Sequence, residues 1–524
     1  MADELEFHDL SFKSWFGKKE QVTQATQGKA LYPQNSLQHD PFKDLDFPLL
    51  QFSENPADRW TIADAVRGTQ IFGGIGSGKS SGSGKTLAIR FLESGFGGLV
   101  LCGKPDEKDN WLEYARKAKR EDDIIIFSKN SGYEFNPLQY EIEREGEGAG
   151  ATQNLVTLFM NIFQLGQRIN GGEAKESERF WENALRRCII RIVDLLKLSG
   201  EELSVANMAE VLNSAPTGKD YMEHIATFET EEELENWFKE SGYCTECILK
   251  AAETELAEDD KVCFNLVYRY FMRDYPKLGN DTRAGVSESF LGIAEPFLTG
   301  LLAKQFAKGV NIKPELTHQG KIIILDFPVK DFLEIGIYAQ GIFKLMWQQA
   351  TERRKIISGQ AVPVFLWVDE SQFFVTEYDM LFQTTARSSR ACTVFLTQNI
   401  SNYYSTIGGQ QPKAKVDSLL GNLCTKIFHA NNDFETNQWA ANTIGKSFIK
   451  VDSNSTGFNP TTLIPNMGYT EANQLHYQVE PKEFTTLKCG GNENAKEVEG
   501  YMITAGKKWS DGKNYRQVFF SQTQ

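Results

Sequence analysis

The chain has 524 residues, of which 41% are hydrophobic and 24% are charged, and its formal net charge is −14. This composition argues against a disordered chain and provides enough residues for two or three globular domains. The acidic balance argues against a broad basic face that coats nucleic acid, so any contact with DNA has to be local, for instance through loops that line a channel.

The first residues, MADELEFHDL, contain no basic region followed by an apolar run, and no apolar stretch approaches the length of a membrane span. We therefore expect a cytoplasmic chain without a transmembrane segment, in which the eight cysteines are reduced thiols. Cys244 and Cys247 form one CxxC pair, but a zinc site needs about two more ligands at matching spacing. Ordinary cysteines on a helix are the favoured interpretation of this pair.

Residues 1–55 form a mixed lead-in segment whose stretch SFKSWFGKK combines lysines with the aromatic residues Phe12, Trp15 and Phe16. Two roles fit this stretch: docking on a partner or a membrane surface, and packing against the main body, which we favour. Over residues 56–145, short apolar runs in TQIFGG, GGLVLCGKP and DDIIIFSK alternate with helical stretches. Such runs predict parallel strands that are buried on both faces.

Residues 146–315 predict an all-helical insertion, because apolar residues recur there at helical spacing. The clearest example is FWENALRRCIIRIVDLL, whose apolar stripe consists of Trp181, Leu185, Cys188, Ile189, Ile192 and Leu196. The α/β pattern returns over residues 316–490, with a loop predicted at 450–470 because this stretch is rich in Ser, Thr, Asn, Gly and Pro. The tail, residues 491–524, predicts a hairpin around a DG pair.

The segment GGIGSGKS at 73–80 fits the phosphate-binding pattern G-x-x-x-x-G-K-[ST] and lies between a predicted strand and a predicted helix. Glycines let backbone N–H groups turn toward phosphates, and the helix N-terminus adds positive potential. Lys79 would reach the β- and γ-phosphates of ATP, and the Ser80 hydroxyl would bind Mg²⁺. The spacing and its context argue against a merely flexible turn. The predicted nucleotide contacts are Gly73, Gly74, Gly76, Ser77, Gly78, Lys79, Ser80 and Ser81.

Two later strands end in polar residues that a P-loop ATPase can use. The strand in VPVFLWVDES ends in Asp369, predicted to hold Mg²⁺ together with Ser80, and Glu370, predicted to polarise the attacking water. The strand in TVFLTQN ends in a polar run that includes Gln398, whose amide is predicted to sense the γ-phosphate; a plain polar strand end is the alternative. We therefore expect an α/β fold: a RecA-like P-loop NTPase domain with a central, mostly parallel sheet and an inserted all-α domain.

Between these two strands, TTARSSRA carries Arg387 and Arg390. In a ring of subunits, an arginine from a neighbour can stabilise the negative charge on the transferring phosphoryl group. We predict this role for one of the two, with Arg390 preferred, and arginines on an exposed helix face are the alternative. The basic stretches KAKRED and FMRDYPK fit a pore lining and a solvated face equally well.

The order of these motifs resembles that of the type IV secretion coupling proteins, the VirD4/TraG-like family of conjugative DNA transfer, within the HerA/FtsK-type P-loop superfamily. GGIGSGKSSGSGK followed by GFGGLVLCGKPDE is similar to that family's Walker A region and next strand, and FNPL is similar to its following turn. FWENALR, TRAGVSES, LDFP, LWVDESQFF, TQN, NLCTKIFHANN and VEPKEFTTL follow in the family's order. The resemblance covers about residues 60–490; its P-loop is generic, whereas the ordered set is specific.

This resemblance implies a homo-hexameric ring that hydrolyses ATP with Mg²⁺ and passes DNA, or a protein–DNA substrate, through its pore toward a secretion channel. It also implies two kinds of partner: type IV secretion or other membrane-channel components, and a relaxase or effector cargo recruited by the helical insertion. Typical members carry N-terminal membrane helices, which this sequence lacks, so attachment to the inner membrane would be peripheral and through partners. Two other functions stay open: a soluble HerA-like ATPase that acts with a nuclease in DNA processing or phage defence, and a nucleotide-gated adaptor that recruits secretion substrates.

Overall fold

The computed structural model describes residues 45–169, 176–217, 225, 227–354, 356, 361–407, 411–458 and 465–523. The aromatic stretch around Trp15 lies outside these residues. The described strands are β1 Pro48–Gln51, β2 Arg59–Thr61, β3 Thr69–Phe72, β4 Gly97–Leu101, β5 Ile124–Ser128, β6 Ile322–Asp326, β7 Val364–Val368, β8 Ala391–Thr397, β9 Thr425–Phe428, β10 Lys446–Phe458, β11 Pro465–Tyr477, β12 Glu497–Thr504 and β13 Tyr515–Ser521.

The α-helices fall into two groups, one that accompanies the strands and one that lies between β5 and β6 in the chain. The first group comprises α1 Ile62–Ala65, α2 Lys85–Glu93, α3 Glu107–Ala118, and, after β6, the helices numbered α13 to α17 below. The second group is α4 Pro137–Glu143, α5 Thr152–Ile169, α6 Glu176–Leu198, α7 Val205–Asn213, α8 Glu231–Glu240, α9 Tyr243–Glu253, α10 Glu258–Arg269, α11 Asn280–Leu298 and α12 Gly300–Gln305. The remaining helices are α13 Val329–Arg353, α14 Glu377–Thr385, α15 Ile400–Ile407, α16 Pro412–Asn422 and α17 Phe434–Ile444.

Nine of the described strands form one sheet, in the order β13-β12-β9-β3-β8-β7-β4-β6-β5. From β9 to β5 every neighbouring pair is parallel, and β12 and β13 add an antiparallel edge. Leu99 and Leu101 of β4 enter one hydrophobic cluster and Val100 enters another, because successive side chains of a strand point to opposite faces. The central strands are therefore buried on both faces, as the predicted apolar runs require.

Parallel pairing brings the ends of the central strands to one edge of the sheet. Phe72 of β3 is in register with Thr397 of β8, and Leu101 of β4 is in register with Val368 of β7. The chain segments that follow these four strands therefore start beside one another. This edge is where an α/β sheet of this kind places a ligand.

The architecture confirms the predicted fold class, a RecA-like α/β sheet with an all-α part. Helices α4 to α12 follow β5 and precede β6, and α5 packs against α13 on one face of the sheet. The domain boundaries at 146 and 315 stay predictions; the helical part of the chain has α4 beginning at Pro137 and α12 ending at Gln305. No helix among the described residues is both long enough and apolar enough to cross a membrane.

The predicted loop at 450–470 is wrong, because β10 and β11 pair there as a long antiparallel arm. Among the described residues, the arm forms no pairs with the central sheet, and most of the arm's described side chains are exposed, including Phe448 and Tyr469. A strand without a buried face needs no alternation of apolar and polar residues, so its sequence lacks the pattern that identifies a strand.

The C-terminal hairpin is present, but it is part of the main sheet. β12 pairs with β13 and also with β9, where Tyr501 lies opposite Phe428. At the N-terminal end of the described residues, β1 pairs with β2, and Phe47, Leu49 and Phe52 in and around β1 are buried in the core. The described end of the lead-in segment therefore packs against the main body.

Candidate functional site

The P-loop segment, residues 73–80, joins β3 to the helix that follows it. Gly76 and Gly78 have φ angles of 73° and 83°, in the left-handed region that glycine adopts without strain. Lys79 is buried, and the buried Ser77 Oγ has no hydrogen-bond partner within the described structure. An unpartnered buried hydroxyl beside a buried lysine fits a site that holds a phosphate.

The helix after the P-loop begins with a π-helical turn, Ser80–Gly84, before α2 continues from Lys85. The carbonyl of Lys79 accepts a hydrogen bond from the Gly84 N–H at 2.8 Å, which is the wider spacing of a π turn. Such turns are rare and are common at functional sites.

Asp369 and Glu370 follow β7 and reach the P-loop directly. Ser80 Oγ donates a hydrogen bond to Asp369 Oδ2 at 3.0 Å, and both acidic side chains are buried. Glu370 has a φ of 50°, so the backbone turns sharply where the strand ends. A serine hydroxyl and a carboxylate are hard oxygen donors of the kind that Mg²⁺ prefers, so these residues fit a Mg²⁺ site.

Lys104 is a site residue that the sequence analysis missed. It lies in the segment after β4, and its Nζ is 2.7 Å from Glu370 Oε1 and 3.3 Å from Asp369 Oδ2. Burial alone would lower the pKa of Lys104, but the charge of Asp369 and the hydrogen bond to Glu370 raise it above its usual value. The stretch GKPDE after a predicted strand was visible in the sequence, but the pairing of β4 with β7 was not.

Two glutamines hold the Glu370 carboxylate. Gln372 Nε2 donates to Glu370 Oε2 at 2.9 Å, while Gln372 Oε1 accepts from Thr397 Oγ1 at 2.8 Å. Gln398 Nε2 lies 3.4 Å from both Glu370 oxygens. Burial raises the pKa of Glu370, but hydrogen bonds from Gln372 and Lys104 outweigh it and lower the pKa to about 2. The end of β8 therefore reaches Glu370 through two amides.

The C-terminal strands close one side of the P-loop. A Cβ atom on Gly78 would lie 2.5 Å from Val498 Cγ2, and one on Gly82 would lie 2.9 Å from Val498 Cβ. Gln522 Nε2 donates to Ser81 Oγ at 2.7 Å, so the Ser81 side chain is held by the end of the chain. The hydroxyl of Ser81, predicted as a nucleotide contact, thus has a protein partner in this structure.

The predicted arginines lie at the amino ends of the parallel strands, opposite the P-loop. Arg390 immediately precedes β8, so the length of that strand, roughly 20 Å, separates it from the P-loop edge. Its side chain is buried and donates to the Ala361 carbonyl at 3.3 Å, whereas Arg387 is exposed. An arginine that acts on a neighbouring subunit has to be accessible, so the preference for Arg390 disagrees with its burial, and Arg387 fits the role better.

The CxxC cysteines are helical residues. Cys244 and Cys247 lie in α9 and are buried in the core of the helical part, where burial raises the pKa of both thiols. Among the described residues, no group of three or more His, Cys, Asp and Glu side chains is arranged to hold a metal ion. Core packing accounts for this pair.

Comparison with known proteins confirms the resemblance to coupling proteins. A family model described as the TraM recognition site of TraD and TraG matches residues 363–487. The solved structure of the bacterial conjugative coupling protein TrwBdeltaN70 with sulphate covers 96% of this chain and 96% of that chain, with 11% identity and a TM-score of 0.52. The plasmid coupling protein TrwB in complex with ADP and Mg²⁺ covers 89% of this chain and 88% of that chain, with 12% identity and a TM-score of 0.52. Comparison with curated protein sequences gives no match.

Proposed function

We propose that this chain is the ATP-hydrolysing motor subunit of a conjugative type of coupling protein, which moves DNA or a protein–DNA substrate toward a secretion channel. The observation that carries the proposal is the hydrogen bond between Ser80 and Asp369, with Glu370 beside it, at the carboxyl edge of a coupling-protein fold. A P-loop, a magnesium-binding acid and a second acid in one place are the parts that phosphoryl transfer from ATP requires.

The nucleotide would bind at the P-loop segment. The backbone of this segment and Lys79 would hold the phosphates, the buried Ser77 hydroxyl would gain a partner, and Ser80 with Asp369 would hold Mg²⁺. Mg²⁺ held by Ser80 and Asp369 would offset the negative charge of the phosphates. The structures of TrwB with ADP and Mg²⁺ and with a non-hydrolysable ATP analogue support nucleotide and Mg²⁺ binding by a chain of this fold.

Glu370 would orient the attacking water and take its proton. Its position is fixed by Gln372 and Gln398, so the carboxylate is held without a large loss of side-chain entropy on reaction. Because Gln398 lies at the end of β8 beside the P-loop edge, its amide would also be near the γ-phosphate, which fits the predicted sensor role. A carboxylate with so low a pKa is ionised throughout the physiological range but is a weak base, so orientation of the water is its larger contribution.

Assembly into a homo-hexameric ring would complete the site. The exposed Arg387 would reach a neighbour's γ-phosphate, and DNA would pass through the ring pore. The match of residues 363–487 to a TraM recognition site supports a protein partner at this part of the chain, as expected for a motor that receives relaxase or effector cargo. The secretion channel would supply the membrane component.

The test is the rate of ATP hydrolysis with and without single- and double-stranded DNA, over a series of protein concentrations, with the Lys79→Ala variant as control. A motor predicts strong stimulation by DNA that rises with assembly and is absent from the control. A low rate that is indifferent to DNA would refute the motor and favour a nucleotide-gated adaptor. A nuclease that co-purifies with a DNA-stimulated ATPase would instead favour a HerA-like role in DNA processing or phage defence.

A further inference from the structure

Lys104 lies against both acidic side chains at the end of β7. Its side chain is 25% exposed, while those of Asp369 and Glu370 are 4% and 6% exposed. One ammonium group therefore faces two carboxylates that are almost entirely withdrawn from water. Adjacent buried carboxylates repel each other unless a cation lies between them.

The ammonium group shares an oxygen with the proposed magnesium site. Asp369 Oδ2 accepts the hydrogen bond from Ser80 Oγ at 3.0 Å, and the same oxygen lies 3.3 Å from Lys104 Nζ. A divalent cation held by Ser80 and Asp369 would therefore compete with the Lys104 ammonium group for one carboxylate.

The backbone keeps Lys104 at this place. β4 pairs with β7, and a Cβ atom on Gly103 would lie only 3.0 Å from the Asp369 carbonyl oxygen. The N–H of Cys102 donates to Gln340 Oε1 at 2.6 Å, which fixes the start of the segment. The position of the lysine is therefore built by the sheet, while its long side chain can still change rotamer.

We propose that Lys104 is an internal counter-cation of the magnesium site: its ammonium group holds Asp369 and Glu370 when no divalent cation is bound, and it leaves Asp369 when Mg²⁺ enters. This inference rests on the proposed nucleotide site. Gln372 and Gln398 would still hold Glu370 after the lysine has left Asp369.

The test is the affinity of the full chain for Mn²⁺ without nucleotide, measured by electron paramagnetic resonance of the free ion. Four proteins are compared: wild type, Lys104→Met, Lys104→Arg and Lys108→Met. Lys108 is a matched control, because its Nζ lies 3.0 Å from Asp326 at the end of the neighbouring strand β6 and its side chain is 31% exposed. We expect Lys104→Met to bind Mn²⁺ at least tenfold more tightly than wild type, Lys104→Arg to stay close to wild type, and Lys108→Met to be unchanged. Equal affinity of Lys104→Met and wild type, or an equal gain in Lys108→Met, would overturn the proposal.

A second measurement uses wild-type protein and does not depend on the folding of a variant. Acetylation rates of individual lysines are followed by mass spectrometry with and without Mg²⁺ and ADP. We expect Lys104 to react at least threefold faster when both are present, with Lys108 as the internal reference; an unchanged rate contradicts the proposal. The two hypotheses fail separately. Tight Mn²⁺ binding by Lys104→Met in a chain without DNA-stimulated ATPase activity refutes only the motor, and DNA-stimulated activity with unchanged Mn²⁺ binding refutes only the counter-cation.

Discussion

Replacement of Glu107 by glutamine should remove a pH-dependent loss of stability. Glu107 is the first residue of α3, and its buried Oε1 accepts a hydrogen bond from Trp111 Nε1 at 3.1 Å. Burial, followed by the nearby charge of Asp369, raises the pKa of Glu107 to about 8. Glutamine has nearly the same shape and keeps the acceptor for Trp111, so the substitution changes little except the ability to ionise.

The sign follows from the two pKa values. In the unfolded chain the carboxyl group ionises near its ordinary pKa of 4.5, whereas in the folded chain it stays protonated until about pH 8. Between these values unfolding releases a proton, so the free energy of unfolding falls as the pH rises, by up to about 1.4 kcal/mol per pH unit. The wild type should therefore lose on the order of 2–3 kcal/mol relative to the Glu107→Gln variant between pH 5 and pH 7.

The assay is urea unfolding in the presence of a chelator at several pH values between 5 and 8, followed by tryptophan fluorescence. Glu113→Gln on the same helix is the control, because the Glu113 side chain is 50% exposed. The free-energy difference between Glu107→Gln and wild type should widen with pH, and that between Glu113→Gln and wild type should stay small. Parallel pH profiles for wild type and Glu107→Gln would refute the assignment of a protonated carboxyl at this position.

Four further outcomes are expected. Lys79→Ala should reduce ATP hydrolysis at least 100-fold in a steady-state phosphate-release assay, and near-normal turnover would remove the basis for the site. Glu370→Gln should retain bound ATP on a filter while hydrolysing it at least 100-fold more slowly; hydrolysis at the parent rate would place the water-activating group elsewhere. Arg387→Ala should slow hydrolysis by the assembled protein about 1,000-fold, whereas Arg390→Ala should mainly lower the melting temperature, and the opposite pattern would restore the predicted preference for Arg390. Val498→Ala should lower the free energy of unfolding by about 1–3 kcal/mol and weaken binding of a fluorescent ADP analogue; unchanged affinity would show that the C-terminal strand does not support the P-loop.

The P-loop and the acids could be predicted because their signals are local. The spacing of residues 73–80 matches a known phosphate-binding pattern, and apolar runs followed by Asp369 and Gln398 identify the ends of buried strands. Parallel strands then bring these ends together whatever their separation in sequence. The hydrogen bonds of Ser80 and Gln398 follow from this topology.

The missed residues depend on which strands are neighbours, which no local pattern reports. Lys104 reaches Asp369 across 265 positions only because β4 pairs with β7, and Gln522 reaches Ser81 across 441 positions because the C-terminal hairpin joins β9. The preference for Arg390, which stays a prediction, also did not take the strand topology into account. Arg390 is close to Gln398 in the sequence. However, β8 lies between them and carries the chain from the amino ends of the parallel strands to their carboxyl ends.

Two glycines of the P-loop segment, Gly76 and Gly78, have positive φ angles, and a side chain would disturb the two positions in different ways. A Cβ atom on Gly76 would meet no other atom within 4 Å, so Gly76→Ala would perturb only the backbone angle and, through it, the shape of the P-loop segment. A Cβ atom on Gly78 would collide with Val498, so Gly78→Ala would also push the C-terminal strand away. Loss of nucleotide affinity in Gly78→Ala alone would not identify a phosphate contact, because the same loss follows from a displaced hairpin. Gly76→Ala changes the backbone angle of the P-loop segment without a new contact to Val498, whereas Val498→Ala changes the packing of the C-terminal strand without a change in the P-loop backbone. Comparison of these two variants therefore separates the two causes.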